Sequence, residues 1–311
     1  MPGAQPSRRT MLSAAAGAAV AAVLGRGMRA SASTPRDDQV SGHDQVVEQL
    51  SALEQQYSAR LGVFARHTGT GRVVSYRADE RFPMCSVFKA LAAGAVLRDL
   101  DHDGEFLAER IHYTEHDVAG AGEYTPITGR PENLDRGMTV EQLCAAAVSN
   151  SDNAAANLLL RQLGGPTAVT KFCRSIGDVV TRLDRYEPEL NSAEPWRVAD
   201  TTSPLAVGET FENMIIGGAL APHESDRLTT WLVANTTNGE RFGAGLPTDW
   251  TLADKTGGGD QYGIANDVGV VWPPGRTPIV LSVLSTKYNP NGPTEDPLIA
   301  RTAELLATAL T

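Results

Sequence analysis

Apolar positions along the chain follow two rhythms that alternate in blocks. After a polar stretch over residues 33–43, Val46, Leu50, Leu53 and Tyr57 recur at the spacing of one helix face. Two strand-like runs, 62–66 and 72–76, then flank Thr68-Gly69-Thr70-Gly71, a pattern that predicts a hairpin. From 86 to 100 the spacing of Phe88, Leu91, Ala95, Val96 and Leu100 is helical again. Helices are expected over 138–148, 152–163 and 166–176, with Gly164-Gly165-Pro166 breaking the last two. Residues 185–203 combine prolines and acids with little periodicity, which predicts a long ordered loop; such loops are uncommon and usually functional. Runs at 251–255, 266–272 and 279–286 read as strands, and Leu298, Thr302, Leu305 and Ala309 as a closing helix.

Helix and hairpin first, helices in the middle, strands and helix last: that order predicts one domain inserted into another. The two chain ends then share an antiparallel sheet with helices packed on it. Composition agrees with a folded protein, since 311 residues with 41% hydrophobic content exclude a disordered chain. A net charge of −10 argues against nucleic acid or an anionic membrane surface as the main partner. Three cysteines, Cys85, Cys144 and Cys173, exclude a disulfide scaffold, and whether Cys144 and Cys173 pair stays open.

The first 32 residues are a targeting segment and not part of the fold. Arg8 and Arg9 lie in the string SRRTML, ahead of an apolar run over 11–24 that is shorter than the roughly 20 residues a spanning helix needs. Ala30-Ser31-Ala32 offers small residues at a signal-peptidase spacing. Paired arginines before a modest apolar run resemble a twin-arginine export signal, with an ordinary secretory signal as the alternative. Either way a secreted or periplasmic protein without a stable membrane anchor is expected. Cleavage removes four arginines and no acid, so the mature chain is more acidic still.

Three short strings carry chemistry. Ser86-Val87-Phe88-Lys89 sets a hydroxyl and an amine three apart, on one face of a predicted helix start. A serine needs a neighbouring base to become a nucleophile, and the helix N-terminus offers N–H groups to a developing oxyanion. Ser151-Asp152-Asn153 adds a second hydroxyl and an amide at a helix boundary, where any of the three could be a plain cap. Lys255-Thr256-Gly257 closes a predicted strand with a cation and a hydroxyl. Each string alone is weak, but the chain has few lysines and two of them fall inside these strings.

Together the three strings resemble the motif set of class A serine β-lactamases, over nearly the whole chain from about residue 45. Arg185-Tyr186-Glu187-Pro188-Glu189-Leu190-Asn191 is similar to that family's omega loop, here 185–200. The resemblance implies an α/β plus all-α fold. Residues 33–84 and 234–311 would form a discontinuous domain with a five-stranded antiparallel sheet, and 85–233 an inserted all-α domain.

It also implies roles. Ser86 is the nucleophile, Lys89 and Glu187 share or dispute the acylation base, and the N–H groups of Ser86 and Gly258 form the oxyanion hole. Ser151 relays a proton to the lactam nitrogen. Glu187 and Asn191 hold the hydrolytic water. Asn153 takes the substrate's amide side chain, while Lys255, Thr256, Gly257 and Gly258 border the substrate. Arg185 and Asp200 are expected to pair, and Glu187–Pro188 to be cis. No cofactor or metal is implied. The partners are β-lactam antibiotics, the expected state is a monomer, and the expected outcome is antibiotic resistance.

Departures from the family pattern are local. Gly258 stands where a side-chain hydroxyl or methyl is common. No arginine lies near Ala265, and Arg241 matches an alternative position for it. Asp260-Gln261-Tyr262 makes the following turn one residue longer. Cys144 matches half of a disulfide found in some members, but its partner position is Ala93. Tyr124 matches an aromatic at the site entrance. A zinc-protease string fails at Glu115 between His112 and His116, and the calcium-like loop from Asp99 ends on Arg110. The competing function is a penicillin-sensitive D,D-peptidase or a non-hydrolysing antibiotic-binding protein, which would lack a placed water beside the ester.

Overall fold

The computed structural model describes residues 35–311, so the expected signal segment lies outside the described residues. Helix α1 (Pro35–Gln56), β1 (Arg60–His67) and β2 (Val73–Tyr76) lead into a helical block. That block holds α2 (Phe88–Asp99), α3 (Val140–Ser149), α4 (Asn153–Gln162), α5 (Thr167–Ser175), α6 (Pro204–Ile215) and α7 (Pro222–Val233). Strands β3 (Thr251–Gly259), β4 (Ile264–Trp272) and β5 (Ile279–Thr286) and helix α8 (Asp296–Leu310) close the chain.

The five strands form one antiparallel sheet in the order β2-β1-β5-β4-β3. Chain ends meet inside it: Arg60 to His67 run opposite Thr286 to Ile279. Both faces are covered, which explains why β5 reads as a near-continuous apolar run. Leu61, Val63, Leu281 and Val283 pack on one face with Leu50 of α1 and Leu298, Ile299 and Leu306 of α8. Phe64, Val280 and Leu284 alternate to the other face, toward Val207 and Phe211 of α6 and the core of the helical block. Each such fully buried side chain contributes about 1.5–3 kcal/mol relative to exposure.

Hairpin, strands and closing helix lie where the apolar rhythm predicts them. Four details differ. Helix α1 begins at Pro35, inside the stretch read only as polar, because a polar turn carries no hydrophobic rhythm. Helices α6 and α7 have no counterpart among the predicted elements, though each starts on a proline at its first position, a helix-start signal. Ser86 precedes the long helix, in a separate 3₁₀ turn over Cys85–Val87. Finally, Lys255-Thr256-Gly257 does not end its strand. Pairing continues through Gly257↔Asn266, Gly258↔Ala265 and Gly259↔Ile264, since glycine weakens a strand without preventing its ladder bonds. No helix among the described residues is long and apolar enough to cross a membrane. Cys85, Cys144 and Cys173 are all unpaired and buried.

Candidate active site

Ser86 is presented by a turn held from three sides. Cys85 has φ 46 and Ser151, across the cleft, φ 56, both in the left-handed region that non-glycine residues enter rarely. Such backbone persists where the surroundings over-determine it. Here Asn266 of β4 donates to the carbonyls of Pro83 and Met84 at 2.9 and 3.2 Å, and the Met84 N–H donates to the Asp200 carbonyl at 3.0 Å. From the third side, β3 comes so close that a Cβ on Gly257 would lie 2.7 Å from the Met84 carbonyl oxygen. Cys85 itself is packing: burial pushes its thiol up, away from the reactive thiolate.

Lys89, the second residue of α2, is fully buried. Its Nζ donates to Ser86 Oγ at 2.9 Å, to the Ser151 carbonyl at 2.8 Å and to Asn153 Oδ1 at 2.6 Å. A fourth oxygen, Glu187 Oε1, lies 2.9 Å away with neither side chain exposed. An ammonium has three protons. Glu187 Oε1 is buried and is met by no donor other than this ammonium.

Helix α4 supplies the floor. Asp152 is its cap, accepting from Ala155 N at 2.9 Å and binding Thr128 through both N and Oγ1. Asn153 is therefore free of capping and turns into the site, where Nδ2 donates to the Ala121 carbonyl at 3.1 Å. One turn on, Asn157 brackets the backbone of Glu187: its Nδ2 donates to the Glu187 carbonyl at 2.8 Å, and the Glu187 N–H donates to its Oδ1 at 2.9 Å.

The loop that carries Glu187 is closed by the expected pair, Arg185 Nε to Asp200 Oδ2 at 2.6 Å, and the Glu187–Pro188 bond is cis. Asp200 also accepts from the N–H groups of Asp184 and Arg185. Asn191 lies in a 3₁₀ turn over Glu189–Asn191 and donates to Glu187 Oε2 at 2.5 Å. Its Oδ1, like Glu187 Oε1, is a buried acceptor without a hydrogen-bond donor.

The opposite wall is β3. Lys255 is fully buried, and its Nζ donates to the Thr256 carbonyl at 3.0 Å. Burial, reinforced by the charge of Lys89, pushes its ammonium down to about 7. Thr256 Oγ1 is hydrogen-bonded to Thr237 Oγ1. Arg241 reaches the same wall: Nη1 donates to the carbonyls of Gly257 and Asn266 at 2.7 and 2.8 Å, and Nε pairs with Asp296 at 2.7 Å.

These groups border one cleft of about 890 Å³, lined among others by Ser86, Tyr124, Ser151, Asn153, Asn191, Arg241, Thr256 and Gly258. Tyr124 stands half-exposed at its rim. Ser86, Tyr124, Ser151, Asn153, Asn191, Arg241, Thr256 and Gly258 thus line this cleft, with Lys89 and Glu187 joined to them through Ser86 and Asn191. Sequence reasoning missed Asn157, Thr237 and Asn266. The signal for Asn157 was available: Asn153 and Asn157 are four apart on an otherwise apolar helix face.

Comparison with known proteins places the chain. The model of the β-lactamase enzyme family matches residues 45–310. A β-lactamase of Kitasatospora aureofaciens is 64% identical, covering 99% of this chain and 98% of that protein. The solved structure of the β-lactamase from Streptomyces albus G superposes with a TM-score of 0.84 at 59% identity, over 86% of this chain and all of that one. An ancestral class A β-lactamase superposes with a TM-score of 0.80 at 50% identity, over 85% of this chain and 100% of that one.

Proposed function

The chain belongs to the class A β-lactamase family and hydrolyses β-lactams, and from that premise we propose that Ser86 is the nucleophile of a two-step reaction. In the first step Lys89 passes a proton to Glu187 Oε1 and, now neutral, takes the proton of Ser86 as Oγ attacks the lactam carbonyl. The N–H groups of Ser86 and Gly258 hold the oxyanion; Ser151 hands its proton to the departing nitrogen and is recharged by Lys89, which then recovers its own proton from Glu187, so the carboxylate is again free. In the second step Glu187 takes a proton from water, the hydroxide adds to the ester, and Ser86 leaves with its proton restored. Lys255, Thr256 and Arg241 hold the substrate carboxylate, Asn153 its amide side chain, and Tyr124 its exposed edge.

One observation supports hydrolysis over a stable adduct. Glu187 Oε1, 2.9 Å from the lysine that touches Ser86, and Asn191 Oδ1 on the same loop are two buried acceptors with lone pairs left over. Two such acceptors suit the two hydrogens of a water. A penicillin-sensitive peptidase needs no such pair. The test is Glu187→Ala with a chromogenic cephalosporin: covalent adduct on Ser86 should accumulate in the mass spectrum, with turnover slowed about 10²–10⁴-fold. Rapid turnover by that variant would refute the assignment.

By the same reading, residues 33–84 and 234–311 make up the α/β domain and 85–233 the helical one. The enzyme works as a monomer outside the cytoplasm, exported after cleavage of residues 1–32. Replacing Arg8 and Arg9 by lysine should retain activity inside the cell if export uses the twin-arginine route.

A further inference from the structure

Behind the carboxylate-binding wall, Asp254 of β3 and Asp267 of β4 are both fully buried, and the register that sets Asp254 opposite Gly269 and Thr256 opposite Asp267 makes them diagonal neighbours on one face of the sheet. Two ionised carboxylates cannot share such a site, so one of them carries a proton. The donors around them say which. Asp254 Oδ2 accepts from Asn235 Nδ2 at 2.9 Å, and Oδ1 from Asn238 Nδ2 at 2.6 Å. Asp267 Oδ2 accepts from the Phe242 N–H at 3.1 Å, but no donor reaches its Oδ1. The oxygen without a donor is the one that holds the hydrogen and gives it to Asp254. Burial raises both groups, Asp267 the further because Asp254 is its charged neighbour.

All three outside partners belong to one segment, residues 235–242. Asn235 uses its other face to accept from Thr237 N and Oγ1 at 2.9 and 2.8 Å, and Thr237 in turn meets Thr256. Phe242 follows Arg241 directly. Room for the pair is built in: Gly269 stands opposite Asp254, and a Cβ there would lie 2.7 Å from the Asp254 Cβ.

We propose that Asp267, as a neutral acid, and Asp254, as its anion, are positioning residues that fix segment 235–242 and so aim Thr237 and Arg241 at the substrate carboxylate. This rests on the site reading above for what Arg241 binds, but the protonation of the pair does not.

The proposal predicts an asymmetry between two neutral substitutions. Asp267→Asn keeps a donor toward Asp254 and an acceptor for Phe242, so kcat/KM should stay within about threefold of the parent. Asp254→Asn turns an NH₂ toward the amides of Asn235 or Asn238, releases the segment, and should raise KM about tenfold or more with a smaller change in kcat. Asn238→Ala, which leaves Asp254 charged beside Lys255, should raise KM in the same direction. Equal or reversed effects of the two aspartate variants would overturn the proposal.

Infrared spectroscopy gives a reading that needs no substrate. The parent should show a buried protonated-carboxyl band that Asp267→Asn abolishes; a parent spectrum without that band would sink the proposal even if Asp254→Asn fails to fold. Arg241→Ala separates the two levels, because unchanged kinetics there would remove Arg241 from the site while the band persists.

Discussion

Asn157 closes both backbone hydrogen-bonding groups of Glu187, from one turn inside α4, at 2.8 and 2.9 Å. The loop that carries Glu187 is thereby referenced to the same helix that carries Asn153, and so to Lys89. Glu187 is placed by its main chain, which leaves its carboxylate free for Lys89 and Asn191.

Asn157→Ala should therefore separate the two half-reactions. It leaves two buried backbone groups unpaired, at a cost of about 2–4 kcal/mol. Stopped-flow kinetics should show acylation nearly preserved and deacylation slowed about tenfold, as expected for a misplaced base.

The two neighbouring glycines of β3 should respond oppositely to alanine. At Gly257 the new methyl meets the Met84 carbonyl at 2.7 Å, backbone that cannot yield without moving Ser86. At Gly258 it meets the tip of Arg241 at 3.3 Å, the end of a flexible side chain. Gly257→Ala should lose about 10²-fold or more in kcat/KM, as a displaced nucleophile does. Gly258→Ala should fold and keep activity within about tenfold, read by the same assay.

Lys255 sets a pH limit. Its ammonium is held down to about 7, chiefly by burial and then by Lys89. Below that pH it is charged and, in the proposed role, attracts the substrate carboxylate; above it the charge is lost. The profile of kcat/KM, which reports the free enzyme, should fall with an apparent pKa near 7. Bound carboxylate favours the charged form, so the limb in kcat should lie higher. Lys255→Arg keeps its charge throughout and should remove the limb.

Asp200 ties three pieces together: the Arg185 guanidinium, the N–H groups of Asp184 and Arg185, and the Met84 N–H through its carbonyl. Its carboxylate is buried and Arg185 only partly exposed. Asp200→Ala should cost about 3–5 kcal/mol, measured by denaturant titration, because it strands a cation and two amides. Deacylation should suffer more than acylation.

Much of this was legible before any coordinates. The three-residue step from Ser86 to Lys89 and the alternation in 279–286 dictate their geometry locally, and the strings at 151 and 255 gave the rest of the motif set. Arg241 and Glu187 were reachable only through the resemblance, since nothing local ties a loop residue to a strand far along the chain. The acid pair escaped because Asp254 and Asp267 sit within runs read for their apolar rhythm. Their signal was the reverse of that rhythm, a lone carboxylate interrupting a buried strand. Thr237 and Asn266 act through partners in other elements, so no pattern in their own neighbourhood marks them.

The meeting of β1 with β5 has a consequence for biogenesis. Residues 60–67 leave the ribosome long before their partner, 279–286, is made. Neither edge of that pair can be satisfied during elongation, while helices of the central block can already nucleate on local contacts. Closure of the sheet thus waits until residues 279–286 have been made, and a nascent chain stalled before residue 279 should expose β1 to chaperones and proteases.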